Sequence, residues 1–153
     1  MEKQTRIASF DVNHMTLNPG IYISRIDDNI VTYDIRTCKP NTGKLMSNSE
    51  MHSVEHLFAT YIRNSTIGSR VIYFGPMGCQ TGYYLLIRDS NHEETVNIIK
   101  SILLDIAQNA DIMSGYSAEE CGNYLNLDLE LAKKACLEYY KLFENVSAET
   151  LNY

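Results

Sequence analysis

The feature that most restricts this chain is the stretch Ser49-Glu50-Met51-His52-Ser53-Val54-Glu55-His56-Leu57-Phe58, which holds a His-x-x-Glu-His order. On an α-helix of about 3.6 residues per turn, positions four apart share a face and lie roughly 40° apart in projection. His52 and His56 then reach one metal ion. Glu55 projects from the neighbouring edge, close enough to handle protons without being a ligand. Ser49 as N-cap and an apolar side of Val54, Leu57, Phe58 and Tyr61 predict a helix over about 49–64. The chain has only four histidines, so two at this spacing beside a glutamate favour a metal site over a chance pair on a solvated face.

A length of 153 residues suits a single domain, 1–153. A domain of this size buries roughly 70% of the surface its unfolded chain exposes, enough for a core without disulfide staples. The net charge of −6 argues against nucleic acid or an anionic membrane as partner and leaves small molecules and proteins open. No apolar run approaches the ~18 residues a membrane-spanning helix needs, and Met1 to Arg6 leads into no signal-peptide core. The expected location is cytoplasmic. Cys38, Cys79, Cys121 and Cys136 are widely spaced, so in a reducing compartment they read as free thiols or ligands rather than disulfides.

Residues 1–20 read as irregular. Strands over Ile21–Ile26 and Ile30–Cys38 form a hairpin around Asp27-Asp28-Asn29. After the helix, strands over Ser69–Phe74 and Tyr83–Arg88 flank the turn Gly75-Pro76-Met77-Gly78. Ser90 with Glu93 resembles a capping box for a helix of about 91–110, with Val96, Ile99, Leu103, Ile106 and Ala110 on its apolar face. Gly115 stops that run, and Ser117-x-x-Glu120 offers a further N-cap ahead of Cys121-Gly122. A last helix, about 128–143, turns Leu131, Ala135, Tyr139 and Leu142 inward, and the tail after Asn145 is expected to be loosely held. Hairpins with helices between them indicate an α+β fold, an antiparallel sheet with helices packed on one face.

Two histidines do not complete a metal site; a catalytic zinc-like ion usually takes a third protein ligand and keeps one position open. Cys121, 65 residues beyond His56 and beside Gly122, is either that ligand or a small buried thiol. Cys136, inside an amphipathic helix, reads as core. Cys79 follows a glycine turn and is either an accessible reactive thiol or an inert one. His14 alone reads as an ordinary histidine, Arg36 as an exposed strand residue or an anion or hydroxyl clamp, and His92 as solvent-facing.

Together the runs Ser9-Phe10-Asp11-Val12-Asn13-His14, Asp34-Ile35-Arg36-Thr37-Cys38-Lys39-Pro40-Asn41, His52-Ser53-Val54-Glu55-His56-Leu57, Gly75-Pro76-Met77-Gly78-Cys79-Gln80-Thr81-Gly82-Tyr83-Tyr84, Glu120-Cys121-Gly122 and Asp128-Leu129-Glu130-Leu131-Ala132-Lys133 resemble the S-ribosylhomocysteine lyase (LuxS) family in its own order. The resemblance implies a metal held by His52, His56 and Cys121, with Glu55 and Cys79 as the acid/base pair. It places Ser9, His14 and Arg36 near the ribose. It further implies one Fe²⁺ per subunit, with Zn²⁺ or Co²⁺ accepted, and a homodimer with active sites at the interface. The implied reaction splits the thioether of S-ribosyl-L-homocysteine into L-homocysteine and 4,5-dihydroxy-2,3-pentanedione, an autoinducer precursor, by carbonyl migration and β-elimination.

The sequence departs from the family ahead of the Pro-Met-Gly-Cys run. Where an acidic residue is common, in an Asp-Ile-Ser-Pro context, this chain has Tyr73-Phe74-Gly75-Pro76. A local change in substrate contacts is expected there. A metallopeptidase would share the His-x-x-Glu-His order, but usually takes a downstream glutamate as third ligand and needs a long peptide cleft. A non-catalytic metal-stabilised module would need a closed four-ligand site.

Overall fold

Alternation along Ile30–Arg36 decides the sheet: Val31, Tyr33 and Ile35 point to one face, and Thr32, Asp34 and Arg36 to the other. The computed structural model of the chain describes residues 4–153. Strands β1 (Gly20–Asp27), β2 (Ile30–Arg36), β3 (Val71–Pro76) and β4 (Gly82–Arg88) form one antiparallel sheet in the order β1-β2-β4-β3. The first hairpin closes on Asp28 and Asn29, with Asp28 at φ 52°. That left-handed conformation is one Asp tolerates better than most residues.

Three helices cover the inner face: α1 (Asn48–Arg63), α2 (His92–Asn109) and α3 (Leu129–Leu142). One cluster of buried side chains joins Ile21, Tyr33, Ile35, Leu85 and Ile87 of the sheet to Leu57, Phe58, Ile99, Ile106 and Ala135 of the helices. The α+β architecture with helices on one side is as the sequence indicated. The α2 residues expected inward, Val96, Ile99, Leu103 and Ile106, are all buried, as is Ala110 at the helix's C-cap.

Several local expectations are corrected. Ser47, not Ser49, caps α1, its side chain accepting from the Glu50 amide. Asn91, not Ser90, caps α2 through the Glu94 amide. Ser90 Oγ instead lies 2.6 Å from the Tyr33 hydroxyl, which also bonds His92 Nδ1 at 2.6 Å, so His92 is half-buried rather than solvent-facing. On α3 the buried stripe is Ala132, Ala135, Cys136 and Tyr139, running on to Phe143. Its 3–4 spacing leaves Leu142 44% exposed, not inward.

The tail after Asn145 is anchored rather than loose. Leu151 is buried, its carbonyl accepts from the Ile23 amide at 2.7 Å, and the Tyr153 ring stacks on Tyr22 at 5.0 Å. With residues 8–18, Tyr153 partly covers the outer face of the sheet, which is why Asp34 and Arg36 are buried there.

Candidate metal centre and substrate groove

The helical spacing does what it implied. His52 and His56 stand one turn apart on α1, their rings 4.6 Å apart and nearly perpendicular. The thiol of Cys121 completes the cluster: one donor atom from each of the three residues lies within 4.8 Å of the others, and Cys121 Sγ is 3.3 Å from His52 Nε2. Two imidazole nitrogens and one thiolate suit a zinc-like or ferrous ion with a position left for water or substrate.

What carries Cys121 there is a loop rather than a helix. The Glu120 amide donates to Ser117 Oγ, as at a helix N-cap, but the Glu120 carboxylate accepts from the Ser117 hydroxyl rather than its amide, and the chain makes a single turn, closed by the Cys121 amide on the Ser117 carbonyl at 3.0 Å. The Asn123 amide donates to Cys121 Sγ at 3.4 Å.

Each imidazole is oriented from behind. His56 Nδ1 lies 2.8 Å from the Ser114 carbonyl, and His52 Nδ1 lies 2.5 Å from Asn126 Oδ1. Both partners are acceptors, so Nδ1 carries the proton and Nε2 keeps its lone pair for a cation. Gly115 makes this packing possible: at φ 69°, a β-carbon there would sit 2.8 Å from His56 Nδ1. Ser49, freed from capping, donates to the Asn126 carbonyl at 2.5 Å and ties the loop to α1. Glu55 is half-buried on the same helix.

The remaining candidates gather elsewhere. Ser9, His14, Arg36 and Cys79 line one groove of about 420 Å³ with Phe10, Tyr73, Gly75 and Tyr84. None of His52, Glu55, His56 and Cys121 lines it. Arg36, Tyr73, Gly75 and Tyr84 all point to the face of the sheet turned away from the helices. Gly75 lets the Tyr73 ring lie across it, since a β-carbon there would meet the Tyr73 hydroxyl at 2.1 Å. A phenol therefore occupies the segment where the family commonly has an acid.

Cys79 is exposed on the β3–β4 turn, next to Gln80 at φ 63°. Its sulfur is 3.0 Å from Thr81 Oγ1 and 3.8 Å from Arg36 Nη1, which also donates to Thr81 Oγ1 at 2.9 Å. Arg36 is held by a two-point ion pair with Asp34, at 2.6 and 3.1 Å, both side chains being almost wholly buried. Burial works against the Arg36 charge, but hydrogen bonds and charge from Asp34 outweigh it and raise the guanidinium above its ordinary value. Cys136, by contrast, is enclosed in the core, and burial pushes its thiol up to about 12.

Sequence reasoning missed Asn126, Ser114 and Asp34. Asp34 had a signal, since it lies two residues before Arg36 on a strand and so on the same face. Asn126 and the Ser114 carbonyl had none, because only the loop's path brings them to α1.

Comparison with known proteins agrees with this geometry. Residues 7–150 match the family described as S-Ribosylhomocysteinase (LuxS). The chain is 41% identical to an S-ribosylhomocysteine lyase of Clostridium acetobutylicum, over 97% of this chain and 98% of the relative. It is 41% identical to one of Finegoldia magna, over 97% of each. With one of Borreliella burgdorferi it shares 38% identity, over 97% of this chain and 98% of the relative.

Proposed function

The chain belongs to the S-ribosylhomocysteinase (LuxS) family, and from that premise we propose how its two groups of side chains divide the reaction. The protein is a carbon–sulfur lyase that splits S-ribosyl-L-homocysteine into L-homocysteine and 4,5-dihydroxy-2,3-pentanedione. The observation that carries this reading is the convergence of His52, His56 and Cys121 on one point.

A thioether resists direct hydrolysis, whereas a thiolate β to a carbonyl leaves by elimination, so the carbonyl must first move along the ribose chain. His52, His56 and Cys121 would hold a ferrous ion, with Zn²⁺ or Co²⁺ as substitutes, which would supply Lewis acidity toward the sugar oxygens. The protein's own groups move the protons. Cys79, as a thiolate, takes and returns the carbon-bound protons of the early isomerisation; Thr81 and Arg36 beside its sulfur supply donors for that anion. Glu55, at the edge of the histidine face, serves the later transfer and the elimination. Ser9, His14 and Arg36 hold the ribose hydroxyls.

We assign the working enzyme as a cytoplasmic homodimer, in which the metal cluster of one subunit meets the groove of the other. Two observations support this. The groove contains no side chain of the metal cluster. Large apolar side chains stand exposed beside each half: Phe10 at 62% and Tyr73 at 50% in the groove, Ile112 at 75% and Leu125 at 74% on the loop that carries Cys121. Among the described residues no helix is long and apolar enough to cross a membrane. The product serves autoinducer synthesis and quorum sensing.

The test is release of free thiol from S-ribosylhomocysteine by protein loaded anaerobically with Fe²⁺. Turnover is expected, with none on a peptide library; the reverse would make the protein a peptidase. For the shared site, inactive Cys121→Ser and Cys79→Ala chains are unfolded, mixed and refolded together. Half of the dimers are then mixed, each with one intact site, and activity returns to about a quarter of wild type. No return would place both halves of a site in one chain.

A further inference from the structure

A polar chain leads away from Cys79 to a residue the reaction does not otherwise use. The Tyr153 hydroxyl donates to Asp34 Oδ2 at 2.6 Å; the same oxygen accepts from Arg36 Nη2, and Arg36 Nη1 reaches Thr81 and Cys79. We infer that Tyr153 is a positioning residue for the lyase, fixing Asp34 so that Arg36 stays aimed at the thiol and the sugar site.

Three features carry the inference. First, Asp34 and Arg36 are 1% and 2% exposed, so the carboxylate depends on protein donors, and Tyr153 is its side-chain donor besides Arg36, sharing Oδ2 with Arg36 Nη2. Second, Tyr153 is itself held: its ring stacks on Tyr22 at 5.0 Å, and the Leu151 carbonyl is tied to Ile23. Burial, then the Asp34 charge, raise the phenol well above its ordinary pKa, so it remains a donor through the working pH range. Third, Tyr153 and Tyr22 form one wall of a second groove whose other wall is the segment with Ala8, Asp11, Val12 and Asn13, the neighbours of Ser9 and His14. The same ring therefore stands behind both parts of the proposed ribose site.

The inference rests on the lyase reading and is tested beside it. Tyr153→Phe keeps the ring and its stacking and removes only the hydroxyl. The expected result is a rise of about fivefold in KM for S-ribosylhomocysteine, the scale of one lost hydrogen bond, with kcat within about twofold and Tm lowered by only about 2–5 °C, since the buried carboxylate loses one donor. In an Asp34→Asn background, the same substitution should add nothing, because the relay is already broken. Tyr153→Leu, which also loses the stacking, should lower Tm further. A Tyr153→Phe enzyme with wild-type KM would overturn the inference, as would a KM effect that multiplies with that of Asp34→Asn. If Asp34→Asn does not fold, the Tyr153→Phe result alone decides. Absence of thiol release by the wild-type chain would defeat the lyase reading instead, so the two failures are distinguishable.

Discussion

The metal cluster and the groove are built by opposite means. In the first, a regular helix sets His52 and His56 at a fixed interval, and a loop brings up the third donor and the acceptors behind the rings. In the second, no α-helix takes part. A turn with a left-handed residue presents Cys79, and a buried ion pair at the end of β2 aims Arg36 at it. In the first, each ring is held at Nδ1 and a bound cation would pin its other nitrogen; in the second, two opposite charges are shut away from water. Helix geometry tolerates many loop sequences as long as the donors arrive. A buried ion pair does not tolerate the loss of either partner, since the survivor is left unpaired at a cost of about 3–5 kcal/mol.

The largest effects should separate the two regions cleanly. Cys121→Ser removes the sulfur ligand, and metal content after loading and desalting should fall below about a tenth of wild type, with activity falling in step. Cys79→Ala should lower turnover by about a thousandfold or more while metal content stays near wild type. Glu55→Gln should follow Cys79→Ala. Metal analysis together with thiol release checks all three. Loss of metal in the Cys79 variant would merge what the structure keeps apart, and loss of metal in either variant would mean a ligand role.

A smaller effect tests the loop. Gly115→Ala places a methyl group 2.8 Å from His56 Nδ1 at a backbone φ of 69°. His56 must tilt, so metal affinity should drop about thirtyfold, and the left-handed backbone adds about 1 kcal/mol of destabilisation. Competition with a chromogenic chelator and a thermal melt read the two parts. The groove should not register the change: alkylation of Cys79 in the metal-free protein should proceed at the wild-type rate.

How legible each region was in the sequence follows from its construction. The strand-forming runs either side of Asp27-Asp28-Asn29 and the 3–4 spacing in α2 are local signals, and they placed the first hairpin and the helical layer. His52, Glu55 and His56 were readable for the same reason, because one helix carries all three. Cys121 was legible only in part: its residue type made it the candidate third ligand, but spacing left a buried thiol equally open, because its approach depends on Ser117, Asn123 and the path of the chain between helices. Caps were misread by one or two positions because Ser47, Ser49, Ser90 and Asn91 all offer oxygens, and tertiary partners decide which remain free. The tail was misread because Leu151 and Tyr153 find their partners on strands more than a hundred residues away in the chain.

The finest test concerns Asn126, whose two oxygens have separate jobs. Its backbone carbonyl accepts from Ser49, and its side-chain oxygen orients His52. Asn126→Ala removes only the second, so the loop keeps its tie to α1 while the His52 ring loses its preferred tautomer. Metal affinity should fall about tenfold, less than for Gly115→Ala, because the ring is freed rather than pushed. Asn126→Asp keeps an acceptor at the same place and should fall less still. The measurement is again chelator competition, with the thermal midpoint of the metal-free protein as control. An affinity equal to wild type in Asn126→Ala would show that helix spacing alone orients His52, and the loop would then contribute only the sulfur.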